Sequence, residues 1–456
     1  MGVKIDLQIR LDSFAQRGRW HNTLITIISA PLFCILIISG IIRLIYYSVL
    51  LNTISYDTAG YLNYHANILK GETEGLRTPV YPYFIKMIGL FGRENLIDHI
   101  VTAQMVISFL SIILFYKVVQ AFYKNSRVIF AASLLYGAML PVINFDKLVL
   151  TESFAVIFSL LFIYMMVNYL QKPAHIKAWM IPLFTLIAVM LRPSFIYLPV
   201  LITIFWVLRL TISKRDRKIC LSGLAASVVV ILLTAGYSNL NERNNGFNGI
   251  STVSNHNEMA VIAEAGIYMS GNDPEISEAI KGNLILQQKG PGNGVQPIDV
   301  NSQFGPDRVH KFIINCIKNQ PLAYAWHIAS KLNDLQTTNI FTNYATHKPG
   351  FLAFRVENVE YLVFCVTFNL LYFLIVFDLI VIISMRIRRR LTPWFKVVLW
   401  LLIVLQIAVA IMGGYNEYQR LILPAMPALI ILLFSYVDWI CFATNGNKLR
   451  SYRAAV

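Results

Sequence analysis

Charge is scarce in this chain. Of 456 residues only 14% are Asp, Glu, Lys or Arg, while 56% are hydrophobic, a balance that excludes an ordinary soluble globular protein. Cysteine is sparse as well. Of the five cysteines, Cys34, Cys220, Cys365 and Cys441 fall in or beside apolar runs and Cys316 stands alone in a polar segment, so neither a disulfide framework nor a zinc framework is expected. The chain has no Gly-rich phosphate loop, which removes the usual nucleotide-binding folds. His256, His310, His327 and His347 lack metal-ligand spacing. No internal repeat is visible, and none of the inverted symmetry that many transporters carry.

Long apolar runs are what the chain does have. Windows able to cross a hydrocarbon core roughly 30 Å thick recur about ten times: near 23–45, 98–121, 127–143, 150–170, 178–191, 194–211, 219–238, 360–385, 396–412 and 421–442. The expected fold class is therefore an all-α polytopic membrane protein with about ten transmembrane helices. The formal charge of +15 does not point to nucleic acid, because the basic residues gather in alternate short connections. Lys4, Arg10, Arg17 and Arg19 precede the first span, and Lys124, Arg127, Lys172, Lys177, the run from Lys214 to Lys218, the run from Arg386 to Lys396, and Lys448, Arg450 and Arg453 fill every second connection. That is the pattern of membrane orientation. It predicts both termini on the cytoplasmic side of the membrane. The first run is too long for a cleavable signal peptide and is expected to stay as a span.

Two long connections lie on the opposite, external side, over 46–97 and 239–359. They divide the chain into an N-terminal transmembrane module over 1–238, an external domain over 239–359 and a C-terminal transmembrane module over 360–456. The second connection is long enough for a small folded domain, expected to be mixed in structure. "NERNNGFNGISTVSNHNEMA" and "KGPGNGVQPIDVNSQFGPD" read as loops, whereas Asp307 to Leu335 has helical spacing on both sides of Pro321, which suits the first turn of a second helix. In the first connection, a helix over Asp57 to Lys70 would place Asp57, Tyr61 and His65 on one polar, aromatic face and Ala59, Leu62, Ala66 and Leu69 on much of the other. Such a helix would lie along the membrane surface. Gly71 would end it, and "RTPVYPYFIKMIGLFG" would lead through a Pro-rich turn into a second short apolar helix.

These residues also carry a resemblance. The pattern D-x3-Y-x4-A-x2-L-x-G, met by Asp57, Tyr61, Ala66, Leu69 and Gly71, followed by R-T-P-x-Y-P-x-F through Arg77, Thr78, Pro79, Tyr81, Pro82 and Phe84, resembles the first external loop of the bacterial GT-C glycosyltransferases. These are membrane enzymes that use polyprenyl-phosphate-linked sugars, related to lipid A aminoarabinose transferases and protein O-mannosyltransferases. "LLYGAMLPVINFDKLVLTESF" looks like the family's third span, second external loop and fourth span, through Pro141 and Thr151-Glu152. "LIAVMLRPSFIYLPV" looks like its Arg-Pro turn, through Arg192 and Pro193, and "YNEYQRLILPAMPALIILL" looks like the start of its last span, through Arg420, Pro424 and Pro427. The chain departs from the commonest pattern at Val80, where a glycine often precedes Tyr-Pro, and 239–359 carries no part of the resemblance.

The resemblance implies an inverting glycosyltransferase. It would move a sugar from a polyprenyl-phosphate donor to a glycan, glycolipid or protein hydroxyl on the outer face of the membrane. Such transfer needs a base for the acceptor proton and cationic donors for the departing phosphate. Asp57 is the candidate base, with a helix N-cap as its plain structural alternative. Glu152 is a second catalytic candidate, and Asp146 a substrate-binding one. In the family an acid in this loop can assist the base, bind the acceptor or hold a metal, and in a structural role either would cap a helix or pair with a neighbour such as Lys147. No cofactor is required, and a divalent cation stays open. Arg77, Arg192 and Arg420 break the positive-inside pattern and offer the planar fork that suits phosphate oxygens. Their alternatives are lipid headgroups or a pair with an acid such as Glu417. Tyr61 is a candidate sugar contact, His65 a lesser one, and Arg43 and Lys86 read as snorkelling residues. Two rival functions keep the same composition: a polysaccharide polymerase or ligase, whose essential Arg and His would lie in 239–359, and a non-enzymatic flippase, which would need charge deep within its spans.

Overall fold

The computed structural model describes residues 30–123, 125–212, 216–288, 300–337, 394–413 and 418–444. Among these residues the chain is helical throughout, with a single isolated parallel bridge between Thr53 and Leu148. Among the described residues, eight helical stretches are long and apolar enough to cross a membrane, one of them running from Ser126 to Asp146 through two helices, and His175–Leu191 is a shorter apolar helix. The expected window at 360–385, the basic run from Arg386 and the acid Glu417 lie outside the described residues.

In chain order the N-terminal part comprises α1 (Ala30–Val49), two short helices α2 (Tyr56–Leu62) and α3 (Val80–Gly89), then α4 (Leu96–Gln120) and α5 (Ser126–Gly137). After a break at Ala138-Met139 come α6 (Leu140–Asp146), α7 (Glu152–Gln171), α8 (His175–Leu191), α9 (Tyr197–Ile212) and α10 (Arg217–Asn245). The outer segment adds α11 (Val253–Glu264), α12 (Pro274–Gln288), α13 (Val300–Phe304), α14 (Pro306–Asn319) and α15 (Pro321–Thr337). Finally α16 (Trp394–Gly413), α17 (Tyr418–Ile422) and α18 (Met426–Thr444) close the described chain.

Helix α7 sits at the centre, packed by α4, α6, α8, α16, α18 and the turn at Leu423–Ala425. It is apolar on every side, as a helix surrounded by other helices must be, and Leu160, Phe162 and Met166 are fully buried. Because consecutive long helices run antiparallel, the first residue of α7, the last of α8 and the turn before α18 all meet at one end of the bundle. The basic connection between α7 and α8, the last residue of α9 and the first of α10 fall at the other. Helix α10 runs unbroken through the expected boundary at 238, so the outer segment grows directly out of a long helix of 29 residues.

Three sequence expectations are corrected. The helix expected from Asp57 to Lys70 stops at Leu62, because the following backbone N–H groups are taken by acidic side chains. Glu74 accepts from His65 (2.5 Å) and Ala66 (3.4 Å), and Glu72 accepts from Asn67 (3.0 Å). His65 therefore leaves the Asp57–Tyr61 face and is exposed. Gly71 instead closes a single 3-10 turn at Ile68–Lys70, in the left-handed conformation (φ 76°) that glycine tolerates. The outer segment is not mixed where it is described: α11 to α15 are helices, and the Asn-rich stretch read as a loop lies mostly in the last turns of α10 and in α11. Its asparagines serve specific partners, as described below. The pair of helices around Pro321 is present. Arg43, expected to snorkel, is 2% exposed and faces inward.

Candidate functional site

Asp57 stands in the first turn of α2. Ser55 is the N-cap, so the Asp57 carboxylate is not used as the cap and is free to point elsewhere. The short helix is pinned from below. The Ser55 backbone N–H donates to Thr58 Oγ1 (2.9 Å), Thr58 Oγ1 donates to the Val149 carbonyl (3.1 Å), and Thr53 N–H donates to the Lys147 carbonyl (3.1 Å).

Two arginines grip that carboxylate. Arg77 Nη2 donates to Asp57 Oδ1 at 2.7 Å, and Arg420 Nη2 donates to Oδ2 at 2.9 Å. Arg420 also donates through Nε to Glu152 Oε1, the same oxygen that accepts from Arg192 Nη2 at 3.1 Å. Arg77, Asp57, Arg420, Glu152 and Arg192 thus form one unbroken chain of alternating sign. Among the described residues, three guanidiniums against two carboxylates leave a formal charge of one positive unit. Burial by itself raises the Asp57 carboxyl, but the charges of Arg420 and then Arg77, with their hydrogen bonds, outweigh it and hold the group well below the usual carboxylate range.

Each arginine is placed by its own local device. Pro193 cannot follow a helical residue without a clash, so Arg192 leaves α8 in an extended conformation (φ −151°, ψ 119°) with its side chain turned across the bundle end. The turns carrying Arg192 and Arg420 are joined through Gln406 of α16, which accepts from Tyr197 Oη (2.6 Å) and donates to the Leu421 carbonyl (2.5 Å). Arg77 lies over the Tyr61 ring, 4.5 Å from its centroid, and reaches the Tyr61 hydroxyl at 3.4 Å. Tyr61 in turn meets Tyr81 edge-on at 5.0 Å, and Tyr81 donates to Gln104 at 2.5 Å. Sequence reading overlooked Gly60. A Cβ there would sit 2.8 Å from Arg77 Nε, so the guanidinium crosses α2 where the helix is bare.

The turn before Arg77 is held by the outer segment. Asn245 donates to the Thr73 carbonyl (3.0 Å) and Asn244 to the Gly71 carbonyl (2.8 Å), while Asn241 accepts from Thr73 Oγ1 (3.3 Å). The Thr252 N–H donates to the Gly75 carbonyl (2.7 Å) and Ser251 Oγ to the Leu76 carbonyl (2.7 Å). Further along the same segment, Asn257 donates to the carbonyl of Gly413, the last residue of α16 (2.5 Å). An unusual run of Asn with a flanking Ser-Thr pair was the available signal, and composition alone read it as loop.

Asp146 is kept apart from this group. It is fully buried, pairs with Arg43 Nη1 (3.0 Å), and accepts from Tyr47 Oη (2.7 Å) and Ser153 Oγ (2.6 Å). Lys147 instead donates to Asn52 (2.7 Å). Among the described residues no three His, Cys, Asp or Glu side chains gather around a metal-sized space. The carboxylates of Asp57 and Glu152 are bridged by Arg420, so the residues present suit an anion better than a cation. His310 contacts Asn255 (3.2 Å) and His327 lies 3.5 Å from Glu264, and His347 falls outside the described residues.

No family model matches this chain, and no curated protein matches it. Among solved structures, it is similar to the archaeal oligosaccharyltransferase AglB from Archaeoglobus fulgidus in complex with an inhibitory peptide and a dolichol-phosphate, at TM-score 0.47 and 12% identity over 93% of this chain and 51% of that one. The Archaeoglobus fulgidus oligosaccharyltransferase in complex with Zn and sulfate gives TM-score 0.45 and 12% identity over 90% and 49%. Its apo form gives TM-score 0.45 and 14% identity over 93% and 51%. This chain spans about half the length of those proteins. The values describe a distant likeness and identify no family.

Proposed function

We propose that the protein is a membrane glycosyltransferase that moves a sugar from a polyprenyl-phosphate donor to a hydroxyl of a cell-envelope glycan, a glycolipid or a protein, in a bacterial inner membrane and on its outer side. The observation that supports this reading best is the ion chain itself. Among the described residues, more buried guanidinium groups than carboxylates are gathered at a bundle end that meets both apolar helices and a polar outer segment, and one of those carboxylates is partly exposed. Guanidinium forks match phosphate oxygens, and a lipid-linked donor reaches such a place from the bilayer while its acceptor comes from water.

In this reading Arg77, Arg192 and Arg420 hold the carrier phosphate and stabilise the charge it gains on leaving. Asp57 accepts the proton of the acceptor hydroxyl. The acceptor oxygen bonds to the anomeric carbon from the face opposite the phosphate, and the bond from that carbon to the phosphate oxygen breaks with its electron pair going to the carrier. The sugar is inverted, and no protein nucleophile is needed. Tyr61, stacked beneath Arg77, stands where a sugar ring would pass.

A transfer assay with purified full-length protein tests this. Asp57→Asn is expected to lower turnover by about 10²- to 10⁴-fold, the usual contribution of a general base. Arg420→Ala and Arg192→Ala should raise the donor KM far more than the acceptor KM. Full turnover by Asp57→Asn would sink the assignment, and a polymerase reading would then look to the outer segment.

A further inference from the structure

The two carboxylates of the chain are not equivalent. Glu152 is sealed at 0% side-chain exposure, whereas Asp57 is 27% exposed. Glu152 begins the central helix α7; Asp57 rides on a helix of seven residues in a surface connection. The buried donors Arg77 Nε and Arg192 Nη1 have no acceptor, so the three guanidiniums offer more N–H groups than the two acids use. Glu152 Oε2 is buried without a donor, which leaves Glu152 room to hold Arg192 or Arg420 by a second bond. Arg77, for its part, rests on the Tyr61 ring and hydroxyl and so has support that does not depend on Asp57.

We propose that an incoming carrier phosphate takes the place of Asp57 on Arg77 and Arg420, while Glu152 stays as the positioning residue that keeps Arg192 and Arg420 aimed at it. This rests on the phosphate-donor reading above and adds to it an order of events. Asp57 held by two guanidiniums is a poor proton acceptor. Once the donor has displaced it, the carboxylate is a free base beside the acceptor, so the donor must bind first. The charges also balance. The donor phosphodiester carries one negative charge and Asp57 another; after transfer Asp57 is neutral and the departing phosphate monoester carries both. The arginines face the same total charge before and after, which lets one fixed set serve both states.

Exchange makes a prediction that a supporting role does not. Binding of a polyprenyl monophosphate is measured on the full-length protein in detergent, for wild type, Asp57→Asn and Glu152→Gln. Asp57→Asn should bind it about tenfold tighter, because a charged competitor is gone, even as turnover is lost; Glu152→Gln should bind it about tenfold weaker. Equal or weaker binding by Asp57→Asn overturns the exchange, and that arm stands alone should Glu152→Gln fail to fold. Inorganic pyrophosphate is the second probe. If it shows the same opposed pattern while the polyprenyl phosphate does not bind at all, the exchange holds and the lipid-carrier reading fails. If neither probe binds wild type, both are overturned.

Discussion

Two arginine–carboxylate groups lie near the same end of this bundle, and they are built to opposite specifications. Arg43 and Asp146 form a neutral pair at 2% and 0% exposure, with both Asp146 oxygens served and Arg43 bonded to Ser108 (2.9 Å) and to the Gly137 carbonyl (3.1 Å). That pair ties α1, α4, the end of α5, α6 and α7 to one another. Among the described residues the Arg77 to Arg192 chain has one arginine more than it has carboxylates, and one of those carboxylates is partly open; buried guanidinium nitrogens without an acceptor occur in both groups, at Arg43 Nη2, Arg77 Nε and Arg192 Nη1. Stoichiometry and exposure, not residue type, separate the staple from the proposed receptor. A sealed pair of equal and opposite charge has no net charge to offer a ligand.

The comparison breaks most visibly at the staple. Asp146→Ala leaves Arg43 buried and unpaired and should cost about 3–5 kcal/mol of stability, seen as a large loss of folded protein on size exclusion and a lowered Tm. Replacing both partners, Arg43→Leu with Asp146→Leu, should recover most of that. If the double variant stayed as unstable as the single one, the staple reading would be wrong. A smaller effect is expected at Gly60. Gly60→Ala pushes a methyl against Arg77 and should lower turnover about tenfold with little change in Tm; unchanged kinetics would mean that Arg77 has room to move aside.

The smallest effect sharpens the contrast from a carboxylate that has no arginine. Glu258, on α11, is pushed up by burial alone from 4.5 to about 7. The folded form therefore binds its proton more tightly than the unfolded chain does, so stability should fall as pH rises from 4.5 to about 7. Glu258→Gln should flatten that part of a Tm-versus-pH curve. For Asp57 the sign is reversed, since its folded-state carboxyl is depressed: its contribution is present above 3.8 and is lost only as pH falls below it.

Much of this was legible in residue order. Apolar windows located the long helices that are described; Arg77, Arg192 and Arg420 stood out because they break the positive-inside pattern, and Asp57 and Glu152 stood out through the resemblance. Their partnership was not legible. Positions 57, 77, 152, 192 and 420 are brought together by tertiary packing, and periodicity says which way a side chain faces on its own element, not which distant side chain it meets. The same limit explains Asp146, whose partner Arg43 lies 103 residues away. Helix α2 was read too long because Glu72 and Glu74 compete for the backbone from beyond the periodic stretch. The asparagines at 241, 244 and 245 looked like loop because propensity ignores what a side-chain amide can reach across the fold.

Those asparagines carry a consequence for anyone who would re-engineer the molecule. The stretch from Asn241 to Asn257 grips the peptide leading to Arg77 at one end and the last residue of α16 at the other. The outer segment is thus less an attachment than a jig. A chimera that imports a foreign outer segment has to carry these amides across the junction, at the same phase of α10, or it will arrive with its arginines set to the wrong gauge. A cut placed after Gly246, beyond the last turn of α10, keeps half the jig; a cut placed after Glu258 keeps all of it.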